Sequence, residues 1–161
     1  MVWRAVGSEV RETDGRSRKS ALKRRVDAGV PVGILGYLDE EPVAWCSIAP
    51  RETYRSLGGA DEPGDVPGSV WSLVCFYVTR PLRGAGITRR LIDAAVAAAA
   101  RRGARAVEAY PVEPDSPSYR FMGFVPTFAA AGFREVGRAG TRRHVMRLDL
   151  EPVSDGSVWV H

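Results

Sequence analysis

The stretch Leu82-Arg83-Gly84-Ala85-Gly86-Ile87-Thr88-Arg89-Arg90-Leu91 joins a long apolar run to an alanine-rich one, and the architecture hinges on it. Gly84 and Gly86 let the backbone approach a ligand closely, and the helix start that follows presents unpaired N–H groups and a positive end to an anion. Arg89 and Arg90 fall in that helix's first turn, where positive side chains cost about a few tenths of a kcal/mol unless an anion is nearby. A phosphate-bearing, polyanionic ligand is therefore expected. Upstream, residues 69–78 (SVWSLVCFYV) are apolar on both alternating faces and rich in β-formers, as in a central strand covered on each side. Downstream, residues 88–102 place Leu91, Ala95 and Ala98 on one stripe with Ile92, Val96 and Ala99 beside it, and Gly103 stops the helix. Residues 104–110 then read as a strand. Strand, helix and strand of these lengths form a βαβ crossover, so the two strands are expected to run parallel.

Working outward, residues 32–38 and 42–49 flank the acidic turn Asp39-Glu40-Glu41 and read as a β-hairpin with a loop of three or so residues. Residues 17–29 carry a short helix with a basic outer face, and residues 2–6 suit a strand. Between them and the central strand, residues 50–68 lose periodicity and fill with Gly, Pro and Asp, with one or two helical turns over 51–57. So long a loop in a compact domain is more often functional than idle. Ser116-Pro117 suits a cap and first helical residue, and Pro126 is expected to divide residues 118–131 into two short helices. Residues 133–138 and 142–150 form two more strands around Ala139-Gly140. The fold class is α/β (α+β): a mixed sheet of about six or seven strands with flanking helices, in one domain over residues 1–150, with a short helical segment within 1–30 and a tail over 151–161.

With 161 residues, 45% of them hydrophobic and 26% charged, the chain suits one core. Its longest apolar run, residues 91–100, is about half the roughly 20 residues of a membrane span, so no membrane partner is expected. The first twenty residues scatter charges and lack a signal peptide's apolar segment, which leads to the expectation of a cytoplasmic protein. Cys46 and Cys75 sit in strand-like runs, where a free cysteine behaves as a small buried hydrophobe. Neither they nor His144 and His161 have metal-ligand spacing, so no metal is expected. A net charge of +4 suits an anionic ligand, but the arginines are dispersed, and nucleic acid is not expected as a partner.

Glycine and arginine after a strand occur in competing motifs. A Walker A loop ends in Gly-Lys-Ser/Thr, whereas Gly86 is followed by Ile87-Thr88, which excludes ATP binding of that type. A dinucleotide fingerprint needs a third small residue where Arg89 stands, although Glu108 lies about the right distance on. The remaining motif is Arg/Gln-x-x-Gly-x-Gly/Ala after a strand ending in an apolar residue. Here it reads Arg83-Gly84-Ala85-Gly86-Ile87-Thr88 after Val78, with Pro81 nearby and Thr88 at the final small position. A second signature follows as Phe128-Ala129-Ala130-Ala131-Gly132-Phe133. Together with the element order from Val32 to Leu150, these features resemble the GNAT superfamily of N-acetyltransferases over about three quarters of the chain.

That resemblance implies an enzyme, an acyltransferase with acetyl-CoA as cofactor, that transfers acetyl to a primary amine of a small molecule or peptide by direct attack. Backbone groups of Phe76, Tyr77 and Val78 would pair with the pantetheine arm and polarise the acetyl carbonyl. Arg83, Gly84, Ala85, Gly86, Ile87 and Thr88 would hold the pyrophosphate, with Arg89 beside them. A glutamate common in the family stands at the position of Ser72, and its usual tyrosine acid at that of Phe128. Glu108, the one acid inside a predicted strand near the site, is the candidate base, weighed against a salt bridge to an arginine. Tyr119 is the candidate acid, with Tyr110 in reserve, and water is the alternative donor.

For the acceptor, Trp45, Tyr54 and Trp71 with Asp61, Glu62 and Asp65 are the candidates, since aromatic faces and carboxylates both attract ammonium groups. Core packing is the competing reading of Trp45 and Trp71. The segment before the first hairpin is short for the strand and helices the family places there, so an open site or one completed by a homodimer partner follows. A domain that binds acyl-CoA as a sensor, without turnover, is the rival function.

Overall fold

The computed structural model describes residues 14–151; the expected strand over residues 2–6 and most of the tail lie outside them. Asp14 caps the first helix, α1 (Gly15–Asp27), by accepting a hydrogen bond from the Ser17 amide at 2.9 Å. Only Ala21 of α1 is buried, consistent with its run of basic residues.

Strands β1 (Ile34–Leu38) and β2 (Glu41–Pro50) form the expected antiparallel hairpin. Its loop is tighter than expected: Asp39 and Glu40, at φ 47° and 69°, make the turn, and Glu41 already belongs to β2. Positive φ at both central residues matches the strand twist. Next come β3 (Val70–Val78), α2 (Ile87–Arg101) and β4 (Ala106–Ala109), with β3 and β4 parallel as the crossover requires. α2 buries Leu91, Ile92, Ala95, Ala98 and Ala99 against the sheet. After α3 (Val125–Ala130), β5 (Arg134–Ala139) and β6 (Arg143–Asp149) complete a six-stranded mixed sheet in the order β1-β2-β3-β4-β6-β5.

Two local expectations need correction. No helix begins at Ser116-Pro117; the Ser116 hydroxyl instead donates to the Ser118 carbonyl, and the chain turns through Tyr119 at φ 59° into one 3-10 turn, Arg120–Met122. Two short helical elements do occupy this segment, that turn and α3, but the break between them falls at Gly123-Phe124 and not at Pro126. Pro126 sits in the first turn of α3, where its missing N–H costs nothing.

The two faces of the sheet carry separate cores. On the α2 side Trp71, Leu73, Ile92, Phe128 and Phe133 pack together, and on the other Ala49, Tyr54, Leu57, Val74, Tyr110 and Met122. The division depends on Cys75. It has φ 57° and is the extra residue between the pairs Ser47↔Val74 and Cys46↔Phe76, so the alternation of β3 slips by one at that bulge. Phe76 and Val78 therefore pack with the α2 core, and Tyr77 faces the other way.

Candidate active site

β3 and β4 pair only as far as Leu73↔Ala109. Beyond that point Val112 bridges Phe124, the Val112 amide donating to the Gly123 carbonyl at 3.0 Å, so the two strands part. A cleft of about 570 Å³ opens at this fork. One wall is Phe76, Tyr77 and Val78 with Arg83, Gly84, Gly86, Ile87, Thr88 and Arg89; the other is Arg120, Phe121, Gly123, Phe124 and Thr127. Every residue proposed from sequence for the cofactor thus lies on one cleft, apart from Ala85, which is exposed in the same loop. The far wall was not legible. Its residues have no periodicity of their own and arrive through the Val112–Phe124 bridge.

The loop has the geometry an anion needs. Gly84 and Gly86 adopt φ 83° and 75°, and Gly86 caps α2 without any side-chain hydrogen bond, leaving first-turn amides of a fifteen-residue helix unpartnered. The Arg83 Nε donates to the Val78 carbonyl at 3.0 Å and ties the loop to the strand end. Arg89 lines the cleft while bonding Asp93 at 3.0 Å and the Ala130 carbonyl at 2.8 Å. Arg90 faces the opposite side, toward β1. The residues fit a phosphate-bearing ligand with an apolar arm: glycine amides and arginines at one end, Phe76, Val78 and Phe124 along the walls.

A family model of acetyltransferases, the acetyltransferase (GNAT) family, matches residues 3–124. The chain belongs to this family. It is accordingly an acyltransferase that uses acetyl-CoA, in a family that acts on amine acceptors. No curated protein matches it. Among solved structures, it is similar to the ribosomal-protein-alanine N-acetyltransferase from Brucella melitensis (21% identity, 86% of this chain and 80% of that one, TM-score 0.58). It is also similar to the putative acetyltransferase yncA from Salmonella typhimurium, determined with its cofactor acetyl-CoA (17% identity, 90% and 79% covered, TM-score 0.58). The N-acetyltransferase from Staphylococcus aureus Mu50 shares 14% identity over 84% of this chain and 77% of that one, TM-score 0.58. At such identities the likeness is one of fold.

Phe128, at the family's tyrosine position, is fully buried, edge-on to Phe76 (5.9 Å) and Phe133 (5.1 Å), and so belongs to the core. Tyr119 does not line the cleft; the Arg143 guanidinium lies 5.4 Å from its ring centroid, and Phe121 takes the place at the wall. Ser72, at the glutamate position, shares a 3.0 Å hydrogen bond with the Tyr110 hydroxyl, which donates to Glu108 Oε2 at 2.8 Å. Burial, and after it the Glu108 carboxylate, hold the Tyr110 hydroxyl well above the usual phenol range. Glu108 itself is fully buried. Arg51 donates to its Oε1 at 2.9 Å, and Arg147 lies 3.8 Å away.

Loop 51–68 covers that carboxylate. Gly59 lies so close that a Cβ there would stand 2.2 Å from Glu108 Oε2. The loop is held down through its acids: Asp61 by Arg51, Glu62 by Arg134 at 3.0 Å, and Asp65 by both terminal nitrogens of Arg147 at 2.8 and 3.0 Å. The expectation that Asp61, Glu62 and Asp65 receive a cationic acceptor is therefore corrected, because all of them already pair with arginines. A second cleft of about 500 Å³ lies along this loop, lined by Arg51, Tyr54, Arg55, Leu57 and Val66 among others.

The three aromatic acceptor candidates are not brought together. Trp71 is 4% exposed on the α2 side, with Arg102 5.9 Å from its ring and its indole N–H donating to the Gly68 carbonyl. Tyr54 is in the opposite core, its hydroxyl 2.8 Å from that of Ser47. Trp45 is half-buried and stands directly across the ladder from Tyr77. Neither thiol suits a nucleophile: burial pushes Cys46 up to about 12 and raises Cys75.

Proposed function

We propose that this GNAT enzyme binds acetyl-CoA in the cleft at the β3/β4 fork and passes the acetyl group directly to a primary amine. The observation that carries this reading is the convergence of Phe76, Tyr77 and Val78 with the Arg83–Arg89 loop on one cleft whose other wall carries Phe121 and Phe124. The loop amides and Arg89 would hold phosphates, and Phe76, Tyr77 and Val78, which no described strand pairs on the β4 side, would hydrogen-bond the pantetheine arm. When bound, the thioester supplies the activated acetyl group. The acceptor nitrogen would form the N–C bond as the C–S electron pair leaves with sulfur, and the proton lost by nitrogen would go to water.

Water is assigned this role because both oxygens of Glu108 already accept hydrogen bonds, from Arg51 and Tyr110, and Gly59 covers them. Glu108 is proposed as the anchor of loop 51–68, and Tyr119 as part of the surface beside Phe121, with sulfur protonated from solvent. A cytoplasmic setting is part of the proposal, supported by the two free thiols.

The test is a thermal-shift screen of acetyl-CoA, CoA, ATP and NAD, followed by free-thiol release with amines. Acetyl-CoA and CoA are expected to raise the melting temperature with the logarithm of their concentration. Stabilisation by NAD or ATP with none by CoA would remove this assignment of the cleft.

A further inference from the structure

The cleft has more aromatic surface than its cofactor role uses. Tyr77 is 56% exposed and Phe121 47% exposed, on opposite walls of the same opening. Trp45 stands across the β2–β3 ladder from Tyr77 and so shares its face of the sheet, away from the phosphate loop. Outside the cleft, beside Phe121, Tyr119 continues the strip, its ring centroid 6.3 Å from that of Phe121. Charge narrows what such a strip can receive. Arg83, Arg89 and Arg120 line the cleft and no carboxylate does, while Asp61, Glu62 and Asp65 of the neighbouring loop are paired with Arg51, Arg134 and Arg147. An acceptor with several positive charges would meet like charge without compensation.

We propose that the acceptor is a monoamine with an aromatic body, seated by Tyr77 and Phe121 at the cleft and by Trp45 beside it. The inference rests on the reading of this cleft as the acetyl-CoA site. Ring-on-ring contact would orient the body, and the same ring faces would attract its ammonium group before deprotonation.

The test compares 2-phenylethylamine and tryptamine with spermidine and ethylamine, using acetyl-CoA and free-thiol detection. The aromatic amines are expected to exceed spermidine in kcat/KM by about tenfold or more, the factor that one good aromatic contact supplies. Phe121→Ala and Trp45→Leu should each raise KM for 2-phenylethylamine several-fold while moving that for ethylamine much less. A retained melting shift with acetyl-CoA shows that each variant is folded. Spermidine as the better acceptor, or equal losses for both monoamines, would overturn the inference while leaving the cofactor site standing. A loss of acetyl-CoA affinity in Phe121→Ala and Trp45→Leu, with no change in amine selectivity, would overturn it too and assign the aromatics to the cofactor. Failure of the wild type to bind acetyl-CoA would instead sink the underlying reading, and the inference with it.

Discussion

Arg147, 5% exposed on β6, grips both carboxylate oxygens of Asp65, a residue of the loop that lies over Glu108. The same guanidinium reaches Asp149 at 2.7 Å, so one arginine joins the loop to the sheet. Bidentate pairing of this kind fixes geometry as well as supplying energy.

A pH dependence follows from that pair. The hydrogen bonds from Arg147 hold the Asp65 carboxyl below its ordinary value of 3.8. A carboxyl depressed in the folded state contributes stability that is fully present above its unfolded value and lost as pH falls through its folded one. The melting temperature of the wild type should thus fall below about pH 4, and Asp65→Asn should flatten part of that fall while melting lower at pH 7. Calorimetry from pH 7 down to pH 3 checks it, and identical acid limbs for both proteins would show that Asp65 is not the group responsible.

The loop at Gly86 gives a prediction with an internal control. Gly86→Val forces a β-branched residue to φ 75° and fills the space a ligand needs, so the melting shift with CoA should disappear. Gly103, at φ 80° beyond the far end of α2, has equally open surroundings. Gly103→Val should cost similar stability, on the order of 1 kcal/mol or more, and keep the CoA shift. Loss of the shift in both would mean that helix strain, not the site, is being measured.

Arg89 and Arg90 are adjacent in sequence but face different ways, Arg89 into the cleft and Arg90 toward β1. Arg89→Ala should weaken CoA binding several-fold and a pantetheine thioester without phosphates less, whereas Arg90→Ala should leave both near wild type. Isothermal titration distinguishes them; equal effects of the two substitutions would contradict the division. Arg89→Ala also loses the contacts to Asp93 and Ala130, so some loss of apo stability is expected.

What was legible in the sequence is what local chemistry determines. Val70–Val78 forms a strand because β-branched and aromatic residues crowd both faces, and α2 forms because Leu91, Ile92, Ala95, Ala98 and Ala99 fall at its period. The glycine loop between them is constrained by its own spacing. The rest depends on contacts distant in sequence. Nothing near Asp65 indicates that Arg147, eighty-two residues on, will neutralise it. Trp71 and Tyr54 look alike as acceptor candidates until Trp71, on β3, and Tyr54, in the loop after β2, fall in opposite cores, and the bulge at Cys75 turns Tyr77 to the cleft without any glycine to mark it. Ser116-Pro117 carries a helix-start pattern that the left-handed turn at Tyr119 overrides.

Glu108 separates the two accounts of proton transfer. As the anchor of a buried network its loss is chiefly structural. Glu108→Gln leaves Arg51 and Arg147 facing a neutral amide, and stability should fall by about 3 kcal/mol, the low end for a buried pair that loses one partner, because glutamine keeps one acceptor oxygen. That corresponds to roughly 6–12 °C in melting temperature for a chain of this size. Tyr110→Phe removes the donor to Glu108 and the partner of Ser72, and should cost about 1–3 kcal/mol. Turnover measured well below either melting point should change much less than the roughly hundredfold loss expected of a general base. Its pH profile should keep the wild-type shape, because the proton goes to water in both proteins. A hundredfold fall in kcat with unchanged CoA affinity, recovering as pH rises and free amine accumulates, would instead make Glu108 the base. It would also require loop 51–68 to lift from the carboxylate during turnover, since Gly59 lies against it in the closed arrangement.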